Sequence, residues 1–134
     1  MIVADTNLIV YLLVDGEHTE QARRALQKDP EWSAPLLWIS EVRHVLSTYL
    51  NQEIIEPETA HVMIGKAEEL MAGNEYSVPS TPVLQRAAES GCAAYDCEFV
   101  VLAERLNAPM VTADTDLVSA FPDQTIPLNE FASN

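Results

Sequence analysis

The 134 residues suit one domain spanning residues 1–134, and a hydrophobic fraction of 48% excludes a disordered protein. The chain has no run of about 18 uncharged apolar residues and no basic, apolar leader, so we expect a cytoplasmic protein that is neither exported nor inserted in a membrane. A net charge of -14, from 21 Asp and Glu against seven Lys and Arg, repels phosphates and argues against nucleic acid binding unless carboxylates hold divalent cations.

The N-terminal half of the chain predicts two strands and four helices. The apolar run from Met1 to Ala4 predicts a strand that ends at Asp5. Apolar residues then recur at helical spacing, Asp29-Pro30 interrupts the pattern, and Gly73 closes the last helix of this half. The predicted helices are Thr6–Leu13, Glu17–Lys28, Trp38–Tyr49 and Pro57–Met71, with a short strand at Trp32–Ala34.

The C-terminal half continues the alternation of strands and helices. Short strands are predicted at Tyr76–Val78, at Met110–Thr112 and, at an edge, near Thr125–Ile126. Strands that alternate with helices favour an α/β fold, in which a central, mostly parallel sheet is flanked by helices in three layers. The helices of this half are predicted at Ser80–Gly91, at Tyr95–Leu106 and, as a short one, from Thr115.

Two predicted strands end in a carboxylate. Asp5 follows the first strand, and Asp114 follows the strand at Met110–Thr112. In an open α/β sheet, ligands bind outside the carboxyl ends of the strands, so these two side chains can converge on one cleft. Each aspartate also precedes a predicted helix, where it could instead serve as an N-cap.

Three further acidic residues likewise have both a structural interpretation and an interpretation as ligands. Glu41 borders the apolar face of its helix, a position where the side chain usually bends into solvent. Asp96 lies on the apolar stripe of its helix and is either a cap or an inward ligand, because a buried carboxylate needs a cation or a partner. Asp116 follows Asp114 by two residues, and we expect one of the pair to cap the next helix and Asp114 to be the ligand.

The donor set points to a hard metal ion. Several Asp and Glu without a His or Cys cluster favour Mg²⁺ or Mn²⁺ over zinc, because His18, His44 and His61 are scattered and expected at the surface. Cys92 and Cys97 are expected to be small buried residues of a reducing cytoplasm. Two such ions about 4 Å apart can activate a water and stabilise a leaving oxygen, and four or five carboxylates match that demand.

Four short segments form a pattern in their order and spacing. They are Asp5-Thr6-Asn7, Ser40-Glu41-Val42, Tyr95 to Ala103 and Val111 to Leu117. This pattern resembles the PIN-domain nucleases, and most closely the VapC-type toxins of toxin-antitoxin systems. The resemblance implies a PIN-like fold, cleavage of RNA with Mg²⁺ or Mn²⁺, a homodimer that uses the Ala60–Met71 helix or its neighbours, and a small basic antitoxin as partner. It implies metal ligands at Asp5, Glu41, Asp96 and Asp114, with Asp116 as a candidate fifth.

The chain departs from the family pattern after its last aspartate, where Thr115 and Asp116 stand at positions that often carry basic or polar residues. Two other acidic α/β enzymes or signalling domains, the haloacid dehalogenase phosphatases and the two-component receivers, need a lysine late in the chain. The only lysines here are Lys28 and Lys66, which excludes both classes. A housekeeping RNA-processing nuclease and a non-catalytic PIN-like interaction module, with its carboxylates as caps, remain alternatives.

Overall fold

Five short strands form one parallel sheet in the computed structural model, which describes residues 1–133. The sheet order is β3-β2-β1-β4-β5, so the chain runs outward from β1 in both directions. This order confirms the predicted parallel sheet and makes β1 and β4 neighbours at the point where the direction reverses. The strands are β1 at Ile2–Ala4, β2 at Trp32–Pro35, β3 at Glu75–Tyr76, β4 at Met110–Thr112 and β5 at Thr125–Pro127.

Eight helices in the described part of the chain flank the sheet. The helix with the most buried residues, α6 at Ala94–Leu106, packs against β1, β2 and β4, while α1 at Thr6–Leu13 packs against β1 and β4. The helices are α1 at Thr6–Leu13, α2 at Thr19–Lys28, α3 at Trp38–Asn51, α4 at Pro57–Met71, α5 at Ser80–Ser90, α6 at Ala94–Leu106, α7 at Thr115–Ala120 and α8 at Leu128–Phe131.

The central strands are buried along their whole length. Every residue of β1, β2 and β4 is buried, as expected for parallel strands covered on both faces. Val3 is aligned with Met110, and Ala4 with Val111, so β1 and β4 end at nearly the same level. The residues that follow these two strands therefore emerge side by side at one edge of the sheet.

Helix ends follow the local chemistry of the chain. Pro57 begins α4, where its missing N–H costs no hydrogen bond. Gly91 and Asn107 end α5 and α6 in the left-handed conformation, at φ of 75° and 51°. The predicted helices are confirmed at these ends. Gly73, with φ of 81°, likewise lies just past the end of α4.

Three details differ from the sequence prediction. Helix α2 begins at Thr19, because the Thr19 hydroxyl accepts a hydrogen bond from the Gly16 amide and closes a turn before the helix. Strand β3 lies at Glu75–Tyr76, where it pairs with the end of β2, and leaves the sheet before Pro79. Helix α8 was not predicted, since four residues carry too little periodicity to detect.

Candidate active site

A cleft opens at the carboxyl ends of β1 and β4, where the sheet order reverses. Its volume is about 360 Å³. Such a switch point is the usual ligand site of an open α/β sheet. The structure brings four of the predicted site residues to the walls of this cleft, namely Asp5, Glu41, Asp96 and Asp114.

The four carboxylates share one structural feature, because each lies at the N-terminal end of a helix. Asp5 and Asp114 immediately precede α1 and α7, while Glu41 and Asp96 lie in the first turns of α3 and α6. The N-terminal end of a helix carries partial positive charge, which favours a carboxylate there. Four helix ends therefore offset part of the repulsion among the acids.

Asp5 is the most buried of these carboxylates, with 7% of its surface exposed. The Thr112 hydroxyl donates a hydrogen bond to Asp5 Oδ2 at 2.6 Å and accepts one from the Asp114 amide at 3.0 Å. Burial raises the pKa of Asp5 to about 6, the Thr112 hydrogen bond opposes this rise, and the charges of Asp96 and Glu41 add to it. Asp5 makes no capping hydrogen bond, so the N-cap alternative does not explain its side chain.

Glu41 is held by a residue that follows Asp5. The Thr6 hydroxyl donates a hydrogen bond to Glu41 Oε1 at 2.7 Å, which links the start of α1 to the first turn of α3. Burial raises the pKa of Glu41, Thr6 opposes the rise, and the charges of Asp96 and Glu98 contribute to it. Glu41 is therefore held at the cleft rather than bent into solvent.

Asp96 and Asp114 differ in how they are held. Burial and then the charge of Asp114 raise the pKa of Asp96, which makes no side-chain hydrogen bond among the described residues. Asp114 Oδ1 accepts hydrogen bonds from the amides of Asp116 and Leu117 at 2.9 Å and 3.3 Å. Of the two aspartates, Asp114 is therefore the one that caps α7. The expectation that the other aspartate would provide the cap is wrong, because Asp114 Oδ1 is already engaged by the helix amides.

Asp116 lies apart from the cleft that holds Asp5. It lines a second cavity of about 560 Å³ between the ends of α5 and α7. Asp96 and Asp114 line both cavities, so they stand between Asp116 and the other two acids. The structure does not bring Asp116 together with Asp5 and Glu41.

The donors in the cleft suit a hard divalent cation. Carboxylates line it, and neither Lys nor Arg does, so no Lys or Arg side chain of its lining neutralises the acids. As they stand, no three His, Cys, Asp or Glu side chains within residues 1–133 are grouped closely enough to hold a metal ion. An ion would have to draw the carboxylates together.

Sequence reasoning missed Thr112 and the place of His44. Thr112 is fully buried and fixes Asp5; its signal is a lone polar residue in an apolar strand. His44 is exposed as expected, but it lines the cleft one turn after Glu41. Of the two cysteines, Cys97 is buried and Cys92 only partly so.

Known proteins resemble this chain along most of its length. Residues 2–121 match the PIN domain family. The chain is 26% identical over 129 residues to a protein named Ribonuclease VapC3 from Pyrobaculum aerophilum, which covers 94% of this chain and 98% of that protein. No helix in the described residues is both long enough and apolar enough to cross a membrane.

Proposed function

Because this chain belongs to the PIN domain family, we propose that it is a ribonuclease of the VapC type that hydrolyses RNA with Mg²⁺ or Mn²⁺. The observation that carries this proposal is the convergence of Asp5, Glu41, Asp96 and Asp114 on one cleft. A relative over nearly the full length of both chains, named as a ribonuclease, supports the choice of RNA.

In this proposal the four carboxylates hold the cation. A bound divalent cation supplies Lewis-acid polarisation of the scissile phosphate and makes water more acidic. Thr112 fixes Asp5, and Thr6 fixes Glu41, so two hydroxyls set the positions of two ligands. Asp116 remains a candidate ligand from the neighbouring cavity.

The direct test is cleavage of a single-stranded RNA by the purified chain. We expect cleavage with Mg²⁺ or Mn²⁺, none with EDTA, and none by Asp5→Asn or Asp96→Asn with metal present. The matched control is Asp123→Asn, which changes an exposed aspartate outside the cleft and should leave cleavage unchanged. Undiminished cleavage by metal-free protein would exclude this mechanism.

We further propose that the protein acts in the cytoplasm as the toxin of a toxin-antitoxin pair. A net charge of -14 favours a basic protein partner. An Arg or Lys of that partner, placed among the four carboxylates, would compete with the cation. The expected result is growth arrest when the chain is expressed alone, and a small basic protein that co-purifies with it at low salt. Growth without arrest, and no basic companion, would favour a housekeeping nuclease.

The proposed homodimer has less surface on α4 than the sequence predicts. Ala60, Ala67 and Met71 of this helix are buried within the same chain. Val62 remains exposed at 54%. A second copy would therefore have to contact Val62 and exposed apolar residues of neighbouring elements rather than the buried stripe.

A non-catalytic interaction module is the second candidate, and a specific observation favours it. Asp114 already caps α7, and no three metal-binding side chains of the described residues are grouped tightly. Calorimetric titration with Mn²⁺ separates the two candidates. A nuclease should bind the ion at a site that Asp5→Asn removes, whereas an interaction module should show no such site.

A further inference from the structure

A third cavity, of about 490 Å³, opens at the same edge of the sheet, one strand away from the carboxylates. Its floor includes Thr112 and Pro127, at the ends of β4 and β5, and its sides come from α7 and the start of α2. Thr112 is the residue whose hydroxyl holds Asp5. The cavity and the candidate active site are therefore adjacent, because a residue that lines the cavity is hydrogen-bonded to a carboxylate that lines the cleft.

This cavity is free of carboxylates along its lining. No Asp or Glu lines it, whereas each of the four other cavities described, of about 360 to 560 Å³, has at least one. Acidic groups contact its lining residues only from outside the lining: Asp5 Oδ2 accepts the hydrogen bond from Thr112 at 2.6 Å, and Glu17, which is 86% exposed, lies 3.3 Å from His18. In a chain of net charge -14, the cavity is a neutral surface beside the acidic cleft.

The polar groups of the cavity are available to a ligand. Gln21, Thr115 and Ser119 make no side-chain hydrogen bond within residues 1–133. The amide group of Asn129 uses only its Oδ1, which accepts from the next backbone amide. Val118 and Leu128 supply apolar walls between these groups. Amide and hydroxyl groups around an apolar slot are what a flat, uncharged, hydrogen-bonding ligand requires.

We propose that this cavity binds the base of the RNA nucleotide next to the scissile phosphate. The inference rests on the proposed ribonuclease function and names the substrate feature that the site recognises. Bases of single-stranded RNA are splayed out and read on their edges, and Gln or Asn side chains suit that role. A volume of 490 Å³ lies within the range of about 300 to 1,000 Å³ typical of small-ligand pockets.

The proposal also explains how so acidic a protein grips RNA. Most RNA-binding proteins gain affinity from Lys and Arg contacts to phosphates, which this cleft does not offer. A neutral cavity beside the cleft lets an uncharged base supply affinity instead. The base then positions its neighbouring phosphate against the carboxylates and their cation.

The first test measures binding of free nucleosides to the metal-free wild-type chain by NMR. Adenosine, guanosine, cytidine and uridine carry no phosphate, so they probe the cavity without the cation. We expect at least one to shift the backbone amides of Val118, Ser119 and Asn129 in a saturable manner. The absence of these shifts with all four nucleosides would overturn the proposal.

Two pairs of variants locate the binding. Gln21→Leu keeps a similar side-chain volume but removes the amide group that would bond to the base, and we expect about three- to tenfold weaker nucleoside binding. Its control is Gln27→Leu on the same helix, where the side chain is exposed and lines none of the described cavities. Ser119→Leu fills the cavity and should abolish binding, with Ala88→Leu on α5 as the control for added bulk. Equal binding by Gln21→Leu, Ser119→Leu and their controls would overturn the proposal.

Cleavage assays separate this inference from the proposed function. Metal-dependent cleavage without nucleoside binding would support the ribonuclease function and exclude the base-binding site. Nucleoside binding at the cavity without cleavage would exclude the ribonuclease function and support a nucleoside-binding site alone. If both hold, Gln21→Leu should relax the base preference next to the cut in a pool of random RNA, while Gln27→Leu should not.

Discussion

Asp5 is the residue at which burial and the proposed metal-binding role oppose each other most directly. Burial raises its pKa to about 6 from an ordinary value of 3.8. Between about pH 4 and pH 6, the folded chain therefore keeps a proton that the unfolded chain has lost. The contribution of Asp5 to stability is most favourable below this window and becomes unfavourable as pH rises through it.

We therefore predict that Asp5→Asn stabilises the metal-free protein near neutral pH. The difference in free energy of unfolding between variant and wild type should grow as pH rises through the window, to at most about 3 kcal/mol at pH 7. Urea unfolding at pH 4, 5, 6 and 7 measures it, and Asp123→Asn should show no such growth. A variant that is less stable than wild type at pH 7 would contradict this prediction.

Thr112 is predicted to act as a positioning residue for Asp5. Thr112→Val keeps the shape of a fully buried side chain but removes the hydroxyl that opposes the rise in the pKa of Asp5. The pKa of Asp5 should therefore be higher in the metal-free variant than in metal-free wild type, so the pH at which the variant loses stability through Asp5 should be higher too. The rate of RNA cleavage should fall. Thr112→Ser should restore both, because it keeps the hydroxyl. An unshifted pH profile would mean that Thr112 is only a packing residue.

At the residue scale, the sequence could predict the acids but not what holds them. Asp5 and Asp114 follow apolar strands, so their edge of the sheet was predictable, and the structure places both at one cleft. The role of Thr112 could not be predicted from its being the lone polar residue of its strand, since threonine is common in strands and its partner lies 107 residues away. The neutral cavity was not predictable either, because its walls come from distant segments.

At the element scale, all four carboxylates lie at helix N-termini, but only some cap the helix by a side-chain hydrogen bond while others only line the cleft. Asp114 does both, because its Oδ1 caps α7 while the residue lines the cleft. Asparagine caps a helix about as well as aspartate, whereas alanine does not. This difference allows the two roles of Asp114 to be measured separately.

We predict that Asp114→Asn and Asp114→Ala both lose RNA cleavage but differ in stability. In metal-free buffer, Asp114→Asn should be at least as stable as wild type, because the cap remains and a repelling charge is removed. Asp114→Ala should be less stable by about 1 kcal/mol because α7 loses its cap. Thermal unfolding of the two variants side by side measures the difference, and equal melting temperatures would show that the cap contributes nothing.

Most elements were predictable because their periodicity is strong. The helices from Pro57 and from Trp38 follow apolar stripes over several turns, and β1 and β4 are short, mostly apolar runs. The two errors have different causes. The place of β3 is set by its register with β2, about 40 residues earlier, which local sequence does not contain. The start of α2 is set by a local turn, which the Thr19 hydroxyl closes onto the Gly16 amide and which helical periodicity alone does not reveal.

At the scale of the whole molecule, net charge should give its two partners opposite responses to salt. A chain at -14 repels RNA, and salt screens that repulsion. We predict that affinity of the metal-free chain for a short RNA stays constant or rises between about 50 and 200 mM salt, whereas affinity for an oligo-lysine peptide falls. Fluorescence anisotropy measures both, and a steep loss of RNA affinity would indicate phosphate contacts to basic residues instead.

The sheet order also fixes when, during synthesis, this cleft can exist. Strand β1 is made first, yet it lies between β2 and β4, so it lacks one neighbour until residues 110–112 have left the ribosome. Until then Asp5 lacks the Thr112 hydroxyl, and the cleft lacks Asp114. A nascent chain that stops short of Asp114 therefore carries no complete set of carboxylates. The proposed ribonuclease site is thus incomplete beside its own messenger RNA for most of its translation.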